Sequence, residues 1–307
     1  FSASNTVNFS QSLIGDSLFA ILFSSLILSI RVRFDRTVKT IIVSDPILLI
    51  FAFVYSKKKI IRFIQSNDYE LFDNNDKGGG AANYFYKIIF KLTQKYYYHS
   101  VLFNSEYSLR SYNQTLSIHD KFPSSYIVNP AVFTLKFSKR EIKPPLNEIN
   151  VCIVMSSHPR KGLKQFIEIV EKSKLKNIKY FVISQDNLNL NLKNIILMKP
   201  ESDIEYVKVL QKCHFILSTS TFEGFGLPLI EAMALGIIPV AIYNKGMDEY
   251  NNNKNIIIIK NAVDFDSQIT KIITSNDKYI KLSDSAINSA SAFTEKKFYS
   301  SIMEKIH

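Results

Sequence analysis

Two glutamates separated by seven residues flank a glycine-containing turn in the segment TSTFEGFGLPLIEAMALG, residues 219–236. Gly224 and Gly226 allow the backbone of this turn to approach a ligand closely and to point its N–H groups outward. Glu223 is expected on the loop, and Glu231 is expected about one turn into the helix that follows. Carboxylates at such positions can accept hydrogen bonds from the adjacent hydroxyl groups of a ribose or a sugar.

The helix of this segment has clear start and stop signals. Pro228 suits a first helical turn because the missing N–H loses no hydrogen bond there, and Gly236 suits the position just after the last turn. A purely structural interpretation makes Glu223 a capping group and Glu231 a solvated helix residue. The two glycines, the proline and the preceding Ser/Thr-rich strand end favour a binding site over that interpretation.

The chain from residue 149 onward alternates between short apolar runs and helical patterns. INVCIVM (149–155) is followed by LKQFIEIVEKSK, whose apolar residues recur at helical spacing, and then by KYFVIS (179–184). The same alternation continues through the apolar runs NIILM, FILSTS, IIPVAI and NIIIIK. Near-continuous apolar strands between helices are typical of a parallel sheet covered on both faces, so this half predicts a Rossmann-like domain.

The first half repeats this rhythm less regularly, with strand-like runs such as VKTIIVSD, ILLIFAFVYS and KIIRFIQS. Between the halves, SKREIKPPLNE (138–148) is charged and contains two prolines, which is typical of a linker. We therefore predict an α/β protein with one domain at 1–143 and a second at 144–290. The opening FSASNTVNFSQSL reads as a turn rather than as the apolar strand that usually begins such a domain, so either that first strand is missing or the fold is trimmed.

The composition is that of a globular protein. Of 307 residues 46% are hydrophobic, with 9 Gly and 9 Pro, which excludes disordered and fibrous classes. Cys152 and Cys213 each lie in an apolar run, so we expect free thiols and a reducing cytoplasm. The start of the chain lacks a signal-peptide pattern, and LFAILFSSLILSI (18–30) is shorter than a membrane span, so it predicts a buried helix running into a strand.

The net charge of +11 is uneven, because residues 1–143 hold 18 Lys/Arg against 10 Asp/Glu and the remainder holds 20 against 17. A basic first half favours contact with an anionic partner, whether a membrane surface, a phosphorylated substrate or nucleic acid. Simple solubility explains the charge equally well.

The segment FEGFGLPLIEAMALGIIPVA resembles the signature of retaining GT-B glycosyltransferases, in particular glycosyltransferase family 4. This resemblance implies two Rossmann-like domains facing each other across a cleft, with a C-terminal helix (291–307) that crosses back to pack on the first domain. By resemblance, Glu223 touches the donor sugar and Glu231 holds the ribose of the nucleotide. The residues between them that the resemblance assigns to donor binding are Gly224, Phe225, Gly226 and Leu227.

A second resemblance lies in PRKGLKQFIE (159–168). The family has a basic pair before this helix that grips the donor diphosphate, and these roles fall on Arg160 and Lys161, because cations stabilise the charge of a departing diphosphate. The family often has an arginine about five residues earlier, where this chain has Ser156. His158 lies beside the same loop and is a further candidate contact, although a plain loop histidine is the simpler interpretation.

In the first domain, IIRFIQSNDYELFD resembles the cleft-facing strand end of the family, including members related to rhamnosyltransferases. Gln65 is the candidate near the reacting sugar, with Asn67 and Asp68 on the acceptor side. VLFNSEYSLRSY likewise resembles the strand and helix before the interdomain crossing and adds Asn104 as an acceptor-side candidate.

Other patterns receive structural interpretations. DFD (264–266) has the spacing of a metal pair but precedes a helix, where aspartate commonly caps, and the resemblance implies no metal cofactor. The five histidines show no ligand spacing. The YYYH stretch (96–99) is typical of a half-buried helix surface, so no nucleic-acid partner is expected.

The sequence therefore predicts an enzyme that moves a sugar from a nucleotide diphosphate sugar to a surface-glycan or lipid-linked acceptor, in the cytoplasm or at the inner face of a bacterial plasma membrane. The Lys-, Asn- and Ile-rich composition is the basis for the bacterial assignment. A non-catalytic GT-B-like module that binds a glycan, a lipid or a partner subunit is the alternative. An RNA-binding protein is a third and weaker reading.

Overall fold

The structure is a computed structural model that describes residues 18–44, 49, 51, 58–66, 88, 92–93, 99–115, 124–145 and 147–306. These residues form two compact units, and the second unit contains Asn104–Tyr107 and Val128–Lys305. The opening segment FSASNTVNFSQSL, most of ILLIFAFVYS, the tyrosines of YYYH, and Asn67 and Asp68 lie outside the described residues.

The first unit has a parallel sheet of strands β1 (Thr40–Val43), β2 (Lys59–Ile64), β3 (Ser100–Phe103) and β4 (Ser125–Ile127), in the order β1-β2-β3-β4. Helix α1 (Leu18–Phe34) precedes the sheet, and α2 (Glu106–Thr115) follows β3. The helix predicted at 18–30 is confirmed, but the prediction that it is buried and runs into a strand is wrong, because Ile30 is 42% exposed and a loop separates the helix from β1. In the part of the chain that is described, no helix has the length and apolar character that crossing a membrane requires.

The second unit includes residues 128–143, which contain a short 3-10 helix at Phe133–Lys136 and which the sequence led us to place in the first domain. Val132 N donates to the carbonyl of Phe293, and Arg140 N donates to the carbonyl of Leu235. These hydrogen bonds hold the segment in the second unit. The predicted packing of 291–307 on the first domain stays a prediction.

Strands and helices then alternate as the sequence predicted. The strands are β5 (Ile149–Val154), β6 (Ile178–Ile183), β7 (Ile195–Met198), β8 (Phe215–Ser218), β9 (Ile238–Ile242) and β10 (Ile257–Ile259). The helices are α3 (Leu163–Lys172), α4 (Asp203–Gln211), α5 (Leu227–Ala234), α6 (Ala262–Ile273), α7 (Asn276–Ala290) and α8 (Glu295–Ile306).

The six strands form one parallel sheet in the order β10-β9-β8-β5-β6-β7. The chain builds outward from β5 through β6 to β7, then returns to the other side of β5 and builds outward through β8 to β10. The strand order thus reverses between β5 and β8. Open α/β sheets bind ligands in the crevice at the carboxyl ends of the strands on either side of such a reversal.

Both faces of this sheet are buried. Val151 and Ile153 of β5 pack in a cluster with Phe166 of α3 and Phe265 of α6. Cys152, between them in the sequence, points to the opposite face and packs with residues of α4, α5 and α7. Cys152 and Cys213 are both buried free thiols, and burial raises the pKa of Cys152.

The two aspartates of DFD accept hydrogen bonds from different neighbours. Asn261 caps α6 by accepting from Asp264 N at 3.0 Å, and Asp264 accepts from Lys260 N at 3.1 Å. Asp266 instead accepts from the hydroxyl of Ser173 at 2.6 Å. The prediction that DFD precedes its helix and caps it is therefore wrong, because α6 begins at Ala262, the capping residue is Asn261, and both aspartates lie within the helix.

Candidate functional site

Two loops meet where the strand order of the second sheet reverses, one after β5 and one after β8. Thr219 Oγ1 donates to the carbonyl of Lys161 at 3.0 Å, and Thr221 N donates to the carbonyl of Arg160 at 2.9 Å. These hydrogen bonds fasten the basic pair to the strand end that leads into the glycine turn.

Gly162 is required for this close approach. Its φ is +71°, and a Cβ built on it would lie 1.9 Å from the carbonyl oxygen of Thr219. The preceding Pro159–Lys161 forms a short 3-10 turn, in which His158 Nδ1 accepts from Arg160 N at 3.3 Å. His158 was predicted as a candidate ligand contact. In the structure, His158 caps the turn that carries Lys161.

Lys161 and Glu223 form an ion pair, with 2.7 Å between Nζ and Oε1. Their side chains are 29% and 19% exposed, so solvent screens this pair less than it screens a surface pair. The guanidinium of Arg160 lies 5.1 Å from the ring centroid of Phe222. The basic pair and the first acid of the signature therefore lie together. A ligand that breaks the ion pair must provide a new partner for the charge of the other residue.

The glycine turn leads directly into α5. Gly226 has φ +82° and precedes the helix, Leu227 is its half-buried first residue, and Pro228 lies in its first turn. Phe225 is only 2% exposed and packs against the rings of Tyr250 and Phe293. A ligand at this turn would therefore contact the backbone of Phe225 rather than its ring.

The turn is supported from behind by the segment KGMDEY, residues 245–250. A Cβ on Gly246 would lie 2.3 Å from the carbonyl of Glu223, and the hydroxyl of Tyr250 donates to the carbonyl of Gly226 at 3.1 Å. On another side, Ser105 Oγ donates to the carbonyl of Gly224 at 2.6 Å. These two hydrogen bonds, from Ser105 and Tyr250 to the glycine turn, were not predicted from the sequence.

Glu231 lies in a different environment from Glu223. It is 9% exposed, and Tyr206 of α4 donates its hydroxyl to Glu231 Oε2 at 2.9 Å. Burial raises the pKa of Glu231 to about 7, although the hydrogen bond from Tyr206 acts in the opposite direction. Asp203, at the start of α4, raises the pKa further through its negative charge.

Two cavities lie at the carboxyl ends of the strands. The larger has a volume of about 440 Å³ and lies between the ends of β5 and β6 and the start of α4; its lining includes Ser156, Ser184, Asp186, Asp203 and Tyr206. The smaller is a narrow space lined by Lys161, Glu223, Gly226 and Pro228 among others. Val154 lines both, so the two spaces adjoin at the end of β5.

Asp186 shapes the larger cavity by holding the loop after β5. It accepts from the backbone N–H and the hydroxyl of Ser157, at 2.6 and 2.7 Å, and these bonds lower its pKa. Neither Asp186 nor Tyr206 was a candidate from the sequence.

The candidates that the sequence led us to place in the first domain are only partly described, and one of them, Asn104, lies in the second unit. Gln65 lies exposed just after β2, and Asn67 and Asp68 lie outside the described residues. Asn104 is buried, and its carbonyl accepts from Asn129 Nδ2 at 3.1 Å. Its acceptor-side role stays a prediction.

A family model described as "Glycosyl transferases group 1" matches residues 136–289, which is half of the chain. This match includes the loops of Lys161 and Glu223 and helix α5. A search of curated protein sequences finds no match.

Many solved structures are similar to this chain. Sucrose-phosphate synthase from Thermosynechococcus elongatus is 13% identical with a TM-score of 0.76, covering 94% of this chain and 78% of its own. Alr3699/HepE from Anabaena, in complex with UDP and glucose, is 15% identical with a TM-score of 0.71, covering 97% and 84%. S. aureus TarM in complex with UDP is 17% identical with a TM-score of 0.68, covering 92% of this chain but only 58% of its own.

At these identities the similarity establishes the fold. The α/β class with parallel sheets is confirmed, and the neighbours are GT-B glycosyltransferase structures.

Proposed function

The chain belongs to the glycosyl transferases group 1 family, and from this premise we propose that it is a retaining, family 4 type glycosyltransferase. It transfers a hexosyl or deoxyhexosyl group, a rhamnosyl group being one candidate, from a nucleoside diphosphate sugar to a surface-glycan or lipid-linked acceptor. The observation that carries the proposal is the ion pair between Lys161 and Glu223 beside the glycine turn, at the reversal point of the sheet.

Departure of a nucleoside diphosphate places negative charge on its phosphate oxygens as the sugar–oxygen bond breaks. Lys161 Nζ and the guanidinium of Arg160 supply positive charge at this site, and the N-terminus of α5 adds a favourable dipole. We assign the diphosphate to these groups, without a metal cofactor. The ion pair with Glu223 holds Lys161 in place before the donor binds.

Glu223 is assigned to the hydroxyl groups of the donor sugar. Its carboxylate lines the narrow cavity together with Gly226 and Pro228. The nucleoside is assigned to the adjoining 440 Å³ cavity, which is large enough for a base and a ribose. Ser156 lines this cavity, and Glu231 is assigned to the ribose hydroxyls.

The acceptor side of the proposal rests on Gln65, Asn67, Asp68 and Asn104. Association with an anionic membrane surface from the cytoplasmic side, driven by the basic first half, is part of the same proposal, and no nucleic acid is included.

The test is binding of a panel of UDP-, GDP-, ADP- and dTDP-sugars by calorimetry, followed by transfer assays with the best donor. Glu223→Ala should abolish transfer without unfolding the protein, whereas Glu168→Ala, which removes an exposed glutamate from an ion pair with Lys172, should not change it. The anomeric configuration of the product, read by NMR, tests retention, and turnover in EDTA tests the absence of a metal. Failure of the wild-type protein to bind any donor would support the non-catalytic alternative.

A further inference from the structure

Helix α4 contributes one side chain to the buried acid of the signature. Tyr206 donates its hydroxyl to Glu231 Oε2 at 2.9 Å, which leaves Oε1 as the second acceptor of that carboxylate. Tyr206 also lines the 440 Å³ cavity to which the nucleoside is assigned. Tyr206 is therefore both a lining residue of the cavity and the hydrogen-bond donor to the acid.

The ring of Tyr206 and the backbone of Glu231 are held by Phe133 and Thr134, respectively. The ring of Tyr206 lies 6.2 Å from the ring of Phe133, and Thr134 Oγ1 donates to the backbone carbonyl of Glu231 at 2.8 Å. Since a tyrosine has few rotamers and this one is packed, its hydroxyl can fix the orientation of the carboxylate at little entropic cost.

We propose that Tyr206 is a positioning residue for donor binding, whose hydroxyl holds Oε2 of Glu231 so that the carboxylate presents Oε1 to the ribose hydroxyls of the nucleotide. This inference rests on the proposed function, because it requires a ribonucleotide in the cavity. Tyr206 acts through Glu231 and has no role in bond breaking.

The charge of Glu231 gives the inference a pH signature. The titratable groups that face the pair are Asp203, which raises the pKa of Glu231, and Cys152, which acts on Tyr206. An ionised carboxylate accepts from both ribose hydroxyls, so nucleotide affinity should rise with pH through about 7 and level off above it. Removing the tyrosine hydroxyl takes away a donor to the ionised form, so the midpoint of this rise should move to higher pH.

The experiment takes the ribonucleotide sugar that binds most tightly in the panel. It measures the affinity of the corresponding nucleoside diphosphate, and of its 2′-deoxy counterpart, between about pH 5.5 and 9, a range that brackets the raised pKa of Glu231. Tyr206→Phe should weaken binding of the ribonucleotide about tenfold at pH 7 and shift the midpoint upward. It should also reduce the preference for ribose over deoxyribose. Tyr180→Phe is the control, because Tyr180 is a buried tyrosine in the cluster on the opposite face of the sheet.

A double-mutant cycle decides whether Tyr206 acts through Glu231. In a Glu231→Gln background, Tyr206→Phe should change affinity by no more than about twofold. An equal loss in both backgrounds would overturn the inference, as would a Tyr206→Phe protein with wild-type affinity and an unmoved midpoint. In those two cases the wild-type protein still binds the nucleotide, so the proposed function stands, whereas wild-type protein that binds no nucleotide overturns both.

If Tyr206→Phe does not fold, as shown by loss of its unfolding transition, the Glu231→Gln protein supplies the test through its own pH profile. Loss of the rise in affinity near pH 7, about the value to which burial brings the pKa of Glu231, supports Glu231 as the acid that meets the ribose, on which the inference depends. A retained rise contradicts it.

Discussion

The two acids of the signature are eight positions apart, yet they lie in opposite environments. Glu223 is in a partly open loop, paired with the cation of Lys161 at 2.7 Å. Glu231 is in a buried helix, and the structure gives its carboxylate a neutral tyrosine hydroxyl as donor at 2.9 Å. A carboxylate in an apolar setting retains its charge only at a cost, and burial accordingly raises the pKa of Glu231.

This difference suits the two halves of a nucleotide sugar. Under the proposed function, the Lys161–Glu223 pair lies beside the bond that breaks. The Tyr206–Glu231 pair offers a fixed acceptor to the neutral diol of the ribose. We therefore expect changes in the first pair to affect turnover most strongly, and changes in the second pair to affect nucleotide affinity and its pH dependence.

The largest effect is expected at Lys161. Lys161→Met should lower kcat about 10²- to 10³-fold, because charge that develops on the diphosphate loses its nearest cation. Steady-state turnover with the donor found in the panel measures this loss. Lys164→Met, an exposed lysine three residues further along on α3, is the matched control, and an equal loss in both variants would remove the distinction between the two pairs.

The next effect concerns the backbone that brings Lys161 to the site. Gly162→Ala should lower the free energy of unfolding by about 2 to 4 kcal/mol, because a methyl group cannot fit 1.9 Å from the Thr219 carbonyl. Urea unfolding measures this change. Gly236→Ala also has a positive φ, but its Cβ would meet Ser283 Oγ at 3.1 Å, so it should cost only about 1 kcal/mol. Equal losses in the two variants would show that φ, rather than the contact between the loops, makes Gly162 necessary.

The sequence predicted those structural features that depend on residues close together in the chain. Pro228 and Gly236 delimited α5 to within one residue, and the alternation of apolar runs located each strand of the second unit. These features depend on residues close together in the chain. The neighbourhood of Lys161 and Glu223 was expected only through the family resemblance, because 62 residues separate them in the sequence.

The sequence could not show the contacts that depend on packing between distant elements. Tyr206 is one apolar-patterned position on α4, and nothing near it indicates a partner on α5. Phe225 was a donor-binding candidate, and only the packing with Tyr250 and Phe293 shows that its ring belongs to the core. Residues 128–143 were predicted to end the first domain. The hydrogen bonds that place them in the second unit join them to Phe293 and Leu235, about a hundred or more residues away, so no local pattern could reveal these bonds.

The third prediction uses pH to separate the two acids. The pKa of Glu231 is raised from 4.5 to about 7 on folding, so the folded protein binds more protons than the unfolded chain between these values. Stability contributed by this group is therefore present below pH 4.5 and is lost as pH rises to about 7. Glu231→Gln should thus be more stable relative to wild type at pH 8 than at pH 5, by about 2 to 3 kcal/mol.

This prediction is checked by the difference in unfolding free energy between Glu231→Gln and wild type at each pH. Burial lowers the pKa of His214 to about 4, and this group favours the folded state increasingly as pH rises towards 6.5. The two trends oppose each other in the wild-type curve, but the contribution of His214 cancels when Glu231→Gln is compared with wild type. A difference that does not vary with pH would mean that Glu231 is no less easily ionised in the folded protein than in the unfolded chain.

The smallest effects compare one buried threonine beside each pair. Thr219 Oγ1 donates to the carbonyl of Lys161, and Thr134 Oγ1 donates to the carbonyl of Glu231, and the two residues are 1% and 0% exposed. Replacing either by valine keeps the shape and removes one hydrogen bond, so each change should cost about 1 kcal/mol of unfolding free energy. Thr219→Val should also lower kcat, because the loop that carries Lys161 is less firmly held, whereas Thr134→Val should mainly weaken nucleotide affinity. Both variants are checked by urea unfolding, by kcat and by calorimetric Kd. The same change in kcat and Kd from both variants would mean that the two acids work as one unit.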